Sequence, residues 1–413
     1  MKRLSTLFAL SALAIASFSA CQSNVQTPPA EADYTNSALT QDEHKARLEN
    51  IGLDLMDYYQ DLGNKIKPII WTLLDLEDYN KHAGEYVYNF NQSLKTLDIY
   101  GIIGAATRAS EQMIVDLSGN ESQLNGYIIS YDKSGRQEIT ENGRPRTFEI
   151  KWDDSHATFE WGKNKGQYTL IDKASDTEYL VEVPAFIKLT LTIGGIEHLY
   201  IHLEPNVTDT YTYAPNISIR LRGGYEITST LDASSEKVSG NFSLKRDGKM
   251  ITSATAATDI KDLTNTENWY DEEDGEYDNL DSYFFNNICE SYFKLDLLSL
   301  SIIGGGDMTD ALRRLNECYD LYPYQEDGGK LRTEKECEIL NDSLKVIAVY
   351  TDTKQIIAEL LFEPISEWGV DDSSYWIGFT LVFGDGSKVA IQDYINEDNF
   401  RYFFERYVDI FGE

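Results

Sequence analysis

Residues 187–204 read IKLTLTIGGIEHLYIHLE, and residues 217–231 read ISIRLRGGYEITSTL. In both stretches apolar and polar residues alternate around a Gly-Gly pair, which is typical of two half-buried antiparallel strands joined by a tight turn. The alternation extends over Pro184 to Thr258 and predicts about six strands in sequence. We therefore expect an antiparallel meander with one apolar face and one polar face.

The apolar face of such a sheet needs a cover, and the flanking segments carry helical patterns. Apolar residues recur at helical spacing in Gln41 to Leu62 and in Lys65 to His82, and Gly63-Asn64 between them predicts an antiparallel helix pair. Near the C-terminus, Asn396 is expected to cap a last, aromatic helix. The fold class predicted is α+β: a long antiparallel β-meander with one face packed by N-terminal and C-terminal helices.

The composition shifts along the chain predict five segments. They are a lipoprotein signal peptide (1–20), a tether (21–40), a helical segment (41–120), the antiparallel β-meander (121–262) and an α+β C-terminal region ending in a docked helix (263–413). In the last segment, Ser282 to Ile303 fits either helix or strand, and Gly304-Gly305-Gly306 is expected to break it. A capping box predicts that a short helix starts at Thr333. Four later strands are predicted, at 345–350, 355–362, 375–383 and 388–394.

The N-terminus has the pattern of a bacterial export signal. Met1-Lys2-Arg3 precedes an apolar run from Leu4 to Ala20 that is short for a membrane span. The run ends in Phe18-Ser19-Ala20-Cys21, which resembles a lipobox with Phe in place of the usual Leu. The resemblance implies that Cys21 is acylated, with palmitate-like chains, and anchors the protein to a membrane. An ordinary cleaved signal with an incidental Cys is the alternative.

The residues after Cys21 bear on which membrane surface carries the protein. By analogy with lipoprotein sorting, Gln22 in place of Asp implies the outer membrane. The first acids, Glu31 and Asp33, come late for a surface-export signal, so the periplasmic face is expected rather than the cell surface. Together with the acidic, Tyr- and Asn-rich body, these features resemble the uncharacterised outer-membrane lipoproteins abundant in Bacteroidales. Only the lipobox is specific in that resemblance, and it brings no active site with it.

The charge balance excludes one class of partner. The chain has 36 Lys and Arg against 69 Asp and Glu, a formal net charge of −33, whereas nucleic-acid binding requires a basic face.

Besides Cys21, the thiols are Cys289, Cys318 and Cys337, so one disulfide and one free thiol can form in an oxidising compartment. A bridge between Cys318 and Cys337 is the first choice of three pairings, and three buried thiols are the alternative.

The motifs of metal and nucleophile sites are missing from the sequence. It contains no His-Glu-x-x-His, Cys-x-x-Cys or Gly-x-Ser-x-Gly pattern, and no cofactor or metal is indicated. His198 and His202 lie about 13 Å apart on one strand, too far to share a metal, and are interpreted as solvent-facing polar residues. The acidic loop after Tyr270 fails as an EF-hand because Tyr stands at the first ligand position.

Exposed aromatic residues and one short motif remain as candidates for ligand contact or modification. Trp269, Trp368 and Trp376 lie in or near predicted loops, where their rings could stack on a sugar. Trp152 and Trp161 share faces with apolar residues and are assigned to the core. Asp342-Ser343-Leu344 resembles a short bacterial O-glycosylation motif, which would place a glycan on Ser343.

The sequence therefore favours a non-catalytic envelope lipoprotein with a binding or structural role and an unidentified protein, glycan or lipid ligand. A sharper alternative is a lipid or lipoprotein carrier, because a curved meander with a helical lid resembles the lipoprotein-carrier fold. That alternative requires an open interior lined by Leu189, Leu191, Ile201 and Ile219. An envelope hydrolase is the third hypothesis, and a pairing of His with an acid would support it.

Overall fold

A computed structural model describes residues 34–79, 125–134, 136–172, 177–206, 214–233, 237–260, 288–322, 329–366 and 375–411. The fold is α+β and dominated by antiparallel strands, as predicted. It divides into two compact units. The first unit comprises Met1–Met56, Asp232–Asn241 and Thr252–Glu413, and the second comprises Asp57–Leu231 and Phe242–Ile251. Each unit therefore gathers segments that are distant in sequence.

Most of the strands of the second unit form one sheet. In chain order they are β2 (Tyr127–Tyr131), β3 (Gln137–Glu141), β4 (Thr147–Trp152), β5 (Ser155–Trp161), β8 (Ile187–Ile193), β9 (Ile196–Glu204), β10 (Asn216–Leu221) and β11 (Tyr225–Ala233). Hydrogen bonding places them in the order β3-β2-β4-β5-β8-β9-β10-β11, with only the β2–β4 pair parallel. A separate hairpin consists of β6 (Asn164–Asp172) and β7 (Thr177–Pro184).

The six predicted strands are confirmed: β8 to β11, then β12 (Lys237–Arg246) and β13 (Lys249–Ile260). The first four of them pair as an antiparallel meander. The Gly-Gly turns are the reason for its sharp corners. Gly194 and Gly195 have φ of 58° and 77°, and Gly223 and Gly224 have φ of 96° and 79°, a region that side chains with a Cβ avoid.

The N-terminal helical segment differs from the prediction. One helix, α1, runs from Gln41 to Tyr79 through Gly63-Asn64 and through Pro68, so the antiparallel helix pair was wrong. It begins at a capping box, in which Thr40 N donates to Glu43 Oε2 (2.8 Å) and Glu43 N donates to Thr40 Oγ1 (3.3 Å). The predicted helical pattern after residue 80 lies outside the described residues.

The first unit contains a second run of strands. β14 (Ile288–Leu297), β15 (Leu300–Asp307), β16 (Leu344–Tyr350), β17 (Gln355–Ser366), β18 (Tyr375–Phe383) and β19 (Lys388–Ala390) follow β13 as successive antiparallel neighbours. A two-residue strand, β1 (Thr35–Asn36), adds to β17 in parallel. The core holds buried residues from these strands and from the start of α1, among them Ile51, Tyr350, Leu381 and Phe400.

Four boundaries in this unit correct the sequence predictions. Gly304 to Gly306 belong to β15 and do not break the chain. The capping-box helix, α3 (Lys330–Ser343), starts before Thr333 and packs on α2 (Ala311–Leu321). The strand predicted at 388–394 ends at Ala390 and continues as a short helix, α4 (Ile391–Tyr394). The last helix, α5 (Arg401–Phe411), starts after an Asn396-centred turn.

Candidate functional site

The apolar face of the second unit's sheet is built in rows that cross the strands. In two of these rows every side chain is buried, and we call such rows closed. One contains Ile150, Ala157, Leu191, Leu199 and Leu221, and the other contains Trp161, Ile187, Leu203 and Ile217. All nine side chains are buried, and Leu191 and Leu199 are only 1% and 0% exposed. Apolar alternation along each strand is what brings these residues to one face.

The row between them, which we call the middle row, is covered unevenly. Strand registers align six apolar residues, Phe148, Phe159, Leu189, Ile201, Ile219 and Ile227, and continue the row on β2 and β3 with Tyr127 and Glu141. Ile219 and Ile227 are buried, at 1% exposure each. The first four are only half-buried, although buried rows lie on both sides of them. The middle row is thus an apolar strip that is open over β4, β5, β8 and β9 and closed at β10.

Helix α1 contacts the sheet along one side of this strip. Trp152 Nε1 donates to the carbonyl of Thr72 (3.3 Å), and Tyr225 donates its hydroxyl to the carbonyl of Tyr58 (3.1 Å) and to Asp61 (3.0 Å). Burial of Tyr225, followed by its bond to Asp61, raises its pKa well above the usual range. The helix turns its own buried residues, Leu62, Ile66, Ile69 and Leu73, into the unit.

The opposite, polar face of the same sheet holds a pairing of His with an acid. His156 Nε2 lies 2.7 Å from Glu149 Oε2, and Glu149 also accepts hydrogen bonds from Arg144 and from Asn142 Nδ2 (3.1 Å). Glu149 is buried, while His156 is half-buried. Because a carboxylate can only accept, the ring nitrogen that faces it carries the proton, and Nδ1 is left as the acceptor.

The electrostatics keep this carboxylate ionised. Burial alone would raise the pKa of Glu149, but the hydrogen bonds from Arg144 and His156 outweigh it and hold the pKa below its usual range. The hydroxyl of Thr158 lies 3.3 Å from the same Nε2. It is therefore not at the nitrogen that would act as a base, and the described residues of this cluster lack the nucleophile-to-base contact of a hydrolytic triad.

Sequence reasoning missed this pair, although a local signal was present. The turn Asp153-Asp154 joins β4 and β5 and sets Lys151 opposite His156 and Glu149 opposite Thr158. Residues diagonal across two strands are still within side-chain reach. Strand β5 begins at Ser155, and with Glu149 on β4 and His156 on β5 the two side chains share the polar face of the sheet.

The two histidines of β9 do not behave as predicted. His198 is buried, at 5% exposure, which corrects its assignment as a solvent-facing residue. It lies at a bulge between β8 and β9, where Arg222 Nη1 is 3.0 Å from its Nε2. Burial, and secondarily Arg222, lowers the pKa of His198. His202 is half-buried and contacts Tyr200 and Phe186 edge-on, so the two rings do not converge on one site.

The other predicted site residues are spread over the chain. Trp376 is 59% exposed on β18 of the first unit, and Ser343 is half-buried at the end of α3. Cys318 and Cys337 are buried free thiols on α2 and α3, so the bridge predicted between them is not formed. Cys289 is half-buried and takes no part in a disulfide. Cys21, Trp269 and Trp368 lie outside the described residues.

The described ranges contain neither a cluster of metal-ligating side chains nor a helix suited to span a membrane. There, no group of three or more His, Cys, Asp or Glu side chains could hold a metal ion. Nor is any described helix both long and apolar enough to cross a membrane. A scan against family models, a search of curated proteins and a search of solved structures each found no match to the chain.

Proposed function

We propose that this chain is a lipid-anchored, non-catalytic protein of the bacterial cell envelope that carries an apolar ligand chain. Its anchor is the acylated Cys21, and its place is the outer membrane, on the periplasmic face. Its scaffold is the antiparallel sheet with one face packed by the N-terminal and C-terminal helices. The lipobox-like Phe18-Ser19-Ala20-Cys21 supports the anchor.

One observation carries the binding role: the half-open middle row between two fully buried rows. Phe148, Phe159, Leu189 and Ile201 retain solvent contact at positions where a filled interior would exclude it. Three strand-to-strand steps separate the first from the last, about 14 Å at about 4.8 Å per step. A strip one side chain wide and of this length has the shape of an extended hydrocarbon chain. Covering it removes apolar surface from water, at about 25 cal/mol per Å².

Among the binding roles, the closed end of the strip and its buried walls favour the carrier. The strip ends at Ile219 and Ile227, which are buried, so a ligand chain has a closed end and an open end. Burial of the neighbouring Leu191 and Leu199 makes the strip's walls pre-formed, which lowers the entropic cost of binding. A glycan would need polar partners along its length, and the six apolar residues of the strip offer none.

The test uses the full chain with Cys21→Ser, which removes the proposed acylation site and its own acyl chains. Saturable binding of a fluorescent long-chain fatty acid is expected. Leu189→Trp should fill the strip and weaken binding at least tenfold. The matched control is Thr190→Trp, the next residue of β8 on the opposite face, which should leave affinity unchanged.

Lipids that copurify with the wild-type chain, identified by mass spectrometry, give a second readout that does not depend on how a variant folds. Absence of both saturable binding and copurified lipid, or equal affinity of the Leu189→Trp and wild-type chains, contradicts the carrier. The anchor is tested separately: Cys21→Ala should move the protein from the membrane fraction to the soluble fraction.

Envelope hydrolysis is the second candidate, favoured only by the contact between Glu149 and His156. In that reading Nδ1 of His156 would act as general base on a water molecule. His156→Gln should then abolish turnover of ester substrates by the purified chain. Turnover that survives this substitution would remove the hydrolase from consideration.

A further inference from the structure

Strand β3 (Gln137–Glu141) forms a free edge of the second unit's sheet. In the described part of the chain it pairs only with β2, and all of its residues are exposed. A free edge presents unpaired backbone N–H and C=O groups, to which a further strand can add. β3 contains neither a proline nor a bulge, the devices that commonly block such addition.

Hydrogen bonds at the two ends of the β2–β3 hairpin determine which backbone groups face the free edge. Asp132 N donates to the carbonyl of Arg136 (3.1 Å), and Asn142 N donates to the carbonyl of Gly126 (2.6 Å). In an antiparallel pair such bonds recur at every second residue, so the even-numbered residues of β3 bond to β2. The odd-numbered residues direct their N–H and C=O groups outward. These are Gln137, Ile139 and Glu141.

Ile139 is the exposed end of a row that is otherwise buried. Strand registers align Ile139 on β3 with Ile129 on β2 and Ile150 on β4. Ile150 belongs to a closed row of the apolar face, and Ile129 is only 8% exposed, whereas Ile139 is 58% exposed. The apolar face therefore extends to the edge of the sheet. A strand added beyond β3, with an apolar residue at this position, would cover Ile139 and continue the row.

We propose that the added strand is β3 of a second copy of this chain, paired antiparallel about a two-fold axis at Ile139. In that register the strand is complementary to itself. Ile139 lies opposite Ile139 of the second copy, Gln137 lies opposite Glu141, and Glu138 lies opposite Thr140. The amide of Gln137 can donate to the carboxylate of Glu141, and no two like charges lie directly opposite each other.

The direction of the backbone groups agrees with this register and disfavours its neighbours. Each outward-facing residue lies opposite an outward-facing residue, so each such pair can exchange two N–H···O bonds. A slip of one residue would set outward-facing groups against inward-facing ones. A slip of two residues would set Glu138 opposite Glu138 of the second copy, or Ile139 opposite Glu141. Both alternatives replace a favourable pair by an unfavourable one.

The proposed dimer is closed and weak. Two-fold pairing covers the free edge of both copies, so association stops at two chains. A five-residue strand is far smaller than the about 20–30 residues a side of stable interfaces, so we expect a dissociation constant on the order of 10⁻⁵ M. The net charge of −33 on each copy and the diagonal contact between the two Glu138 side chains oppose association. Added NaCl should therefore tighten the dimer.

Sedimentation velocity of the full chain carrying Cys21→Ser, in about 150 mM NaCl, should show a monomer–dimer equilibrium without larger species. Gln137→Glu sets two glutamates opposite each other at both symmetric sites and should raise the dissociation constant about fivefold. Adding Glu141→Gln recreates a Gln–Glu pair at both sites and should restore the wild-type value. Asn50→Asp, an exposed amide on α1 that becomes a carboxylate, controls for net charge and should leave the constant unchanged.

A backbone variant tests the edge itself. Ile139→Pro removes an N–H that faces the free edge, so the monomer keeps its β2–β3 bonds while the dimer loses its central pair. This variant should be monomeric, with a melting temperature close to that of the wild-type monomer. A wild-type chain that stays monomeric, a dimer that survives Ile139→Pro, or a Gln137→Glu/Glu141→Gln chain that associates no better than Gln137→Glu overturns the inference. A monomeric chain that instead binds an alternating Lys-Val peptide at β3 assigns this edge to another protein and also overturns it.

Discussion

Glu149 is a buried, ionised residue, and its hydrogen bonds determine how much the free energy of unfolding falls when it is replaced. Glu149→Gln loses charge-assisted hydrogen bonds from Arg144 and His156 and should lower the free energy of unfolding by about 2 kcal/mol at pH 7. Glu160→Gln is the control, because Glu160 is half-exposed and 3.8 Å from Arg144, and such pairs contribute about 0–1 kcal/mol. Urea unfolding of both variants measures the difference. Equal losses would show that Glu149 is not the centre of the cluster.

His44 makes stability depend on pH in the near-neutral range. It is 2% exposed, and its Nδ1 lies 3.0 Å from the hydroxyl of Tyr350. Burial, and secondarily Arg47, lowers its pKa below the unfolded value of about 6.5. The contribution of the neutral ring is therefore fully present above about pH 6.5 and is lost as the pH falls towards the folded pKa.

His44→Asn should consequently reduce the loss of stability between pH 7.5 and 5.5. The reduction will be partial, because His198 and His202 also have lowered pKa values and share the effect. Urea unfolding of the wild type and the variant at the two pH values gives the comparison as a double difference. If the pH dependence is the same in both, His44 is not one of the groups that take up a proton on unfolding.

At the scale of elements, α1 shows that burial of apolar side chains can outweigh local helix-breaking residues. Gly63-Asn64 predicted a break, and Pro68 lies inside the helix, but the helix buries Leu62, Ile66 and Ile69 on one continuous face. A break would move these side chains out of the core, and each buried leucine or isoleucine is worth about 1.5–3 kcal/mol. Burial therefore outweighs the propensity cost of about 1 kcal/mol for Gly and about 3 kcal/mol for Pro.

The position of Pro68 gives a direct check on the single helix. In a helix interior Pro lacks the N–H that would bond to the carbonyl of Asn64, so Pro68→Ala should raise the free energy of unfolding by about 1–3 kcal/mol. In the first turn of a separate helix the same change would be close to neutral. Lys67→Ala, at the exposed neighbouring position, controls for the gain in helix propensity. Thermal unfolding followed by circular dichroism measures both.

The glycine run of β15 illustrates what sequence could not predict. A Cβ on Gly304 would lie 2.1 Å from the ring of Phe293, and one on Gly306 would lie 1.8 Å from the carbonyl oxygen of Ser343. Glycine is there for close approach to groups 11 and 37 positions away, which no local pattern reveals. By contrast, β8 to β11 were predictable because alternation and Gly-Gly turns are local.

The sequence likewise predicted only part of the candidate site, namely which residues share the apolar face. Alternation placed Leu189, Leu191, Ile201 and Ile219 on one apolar face, and the structure confirms that placement. Sequence did not distinguish half-buried Leu189 and Ile201 from buried Leu191, because alternation assigns a residue to a face of the sheet but does not say how completely that face is covered.

For the whole molecule, segment order is a poor guide to the compact units. α1, β12 and β13 each contribute residues to both units, so a linear partition of the chain cannot reproduce them. The reason is that a meander adds strands one after another, and no composition shift marks where one unit's core ends. The acidic loop expected as a boundary, after Tyr270, lies outside the described residues.

The net charge of the whole chain predicts whether added salt raises or lowers the melting temperature. The 36 basic side chains cannot neutralise 69 acidic ones, so self-repulsion should outweigh the surface ion pairs, which contribute about 0–1 kcal/mol each. Raising NaCl from 10 to 150 mM shortens the screening length from about 30 Å to about 8 Å and should raise the melting temperature by at least about 2 °C. Choline chloride at the same ionic strength controls for specific Na⁺ binding and should have the same effect. A melting temperature that falls with either salt would mean that ion pairs such as Arg47 with Asp352 outweigh the repulsion.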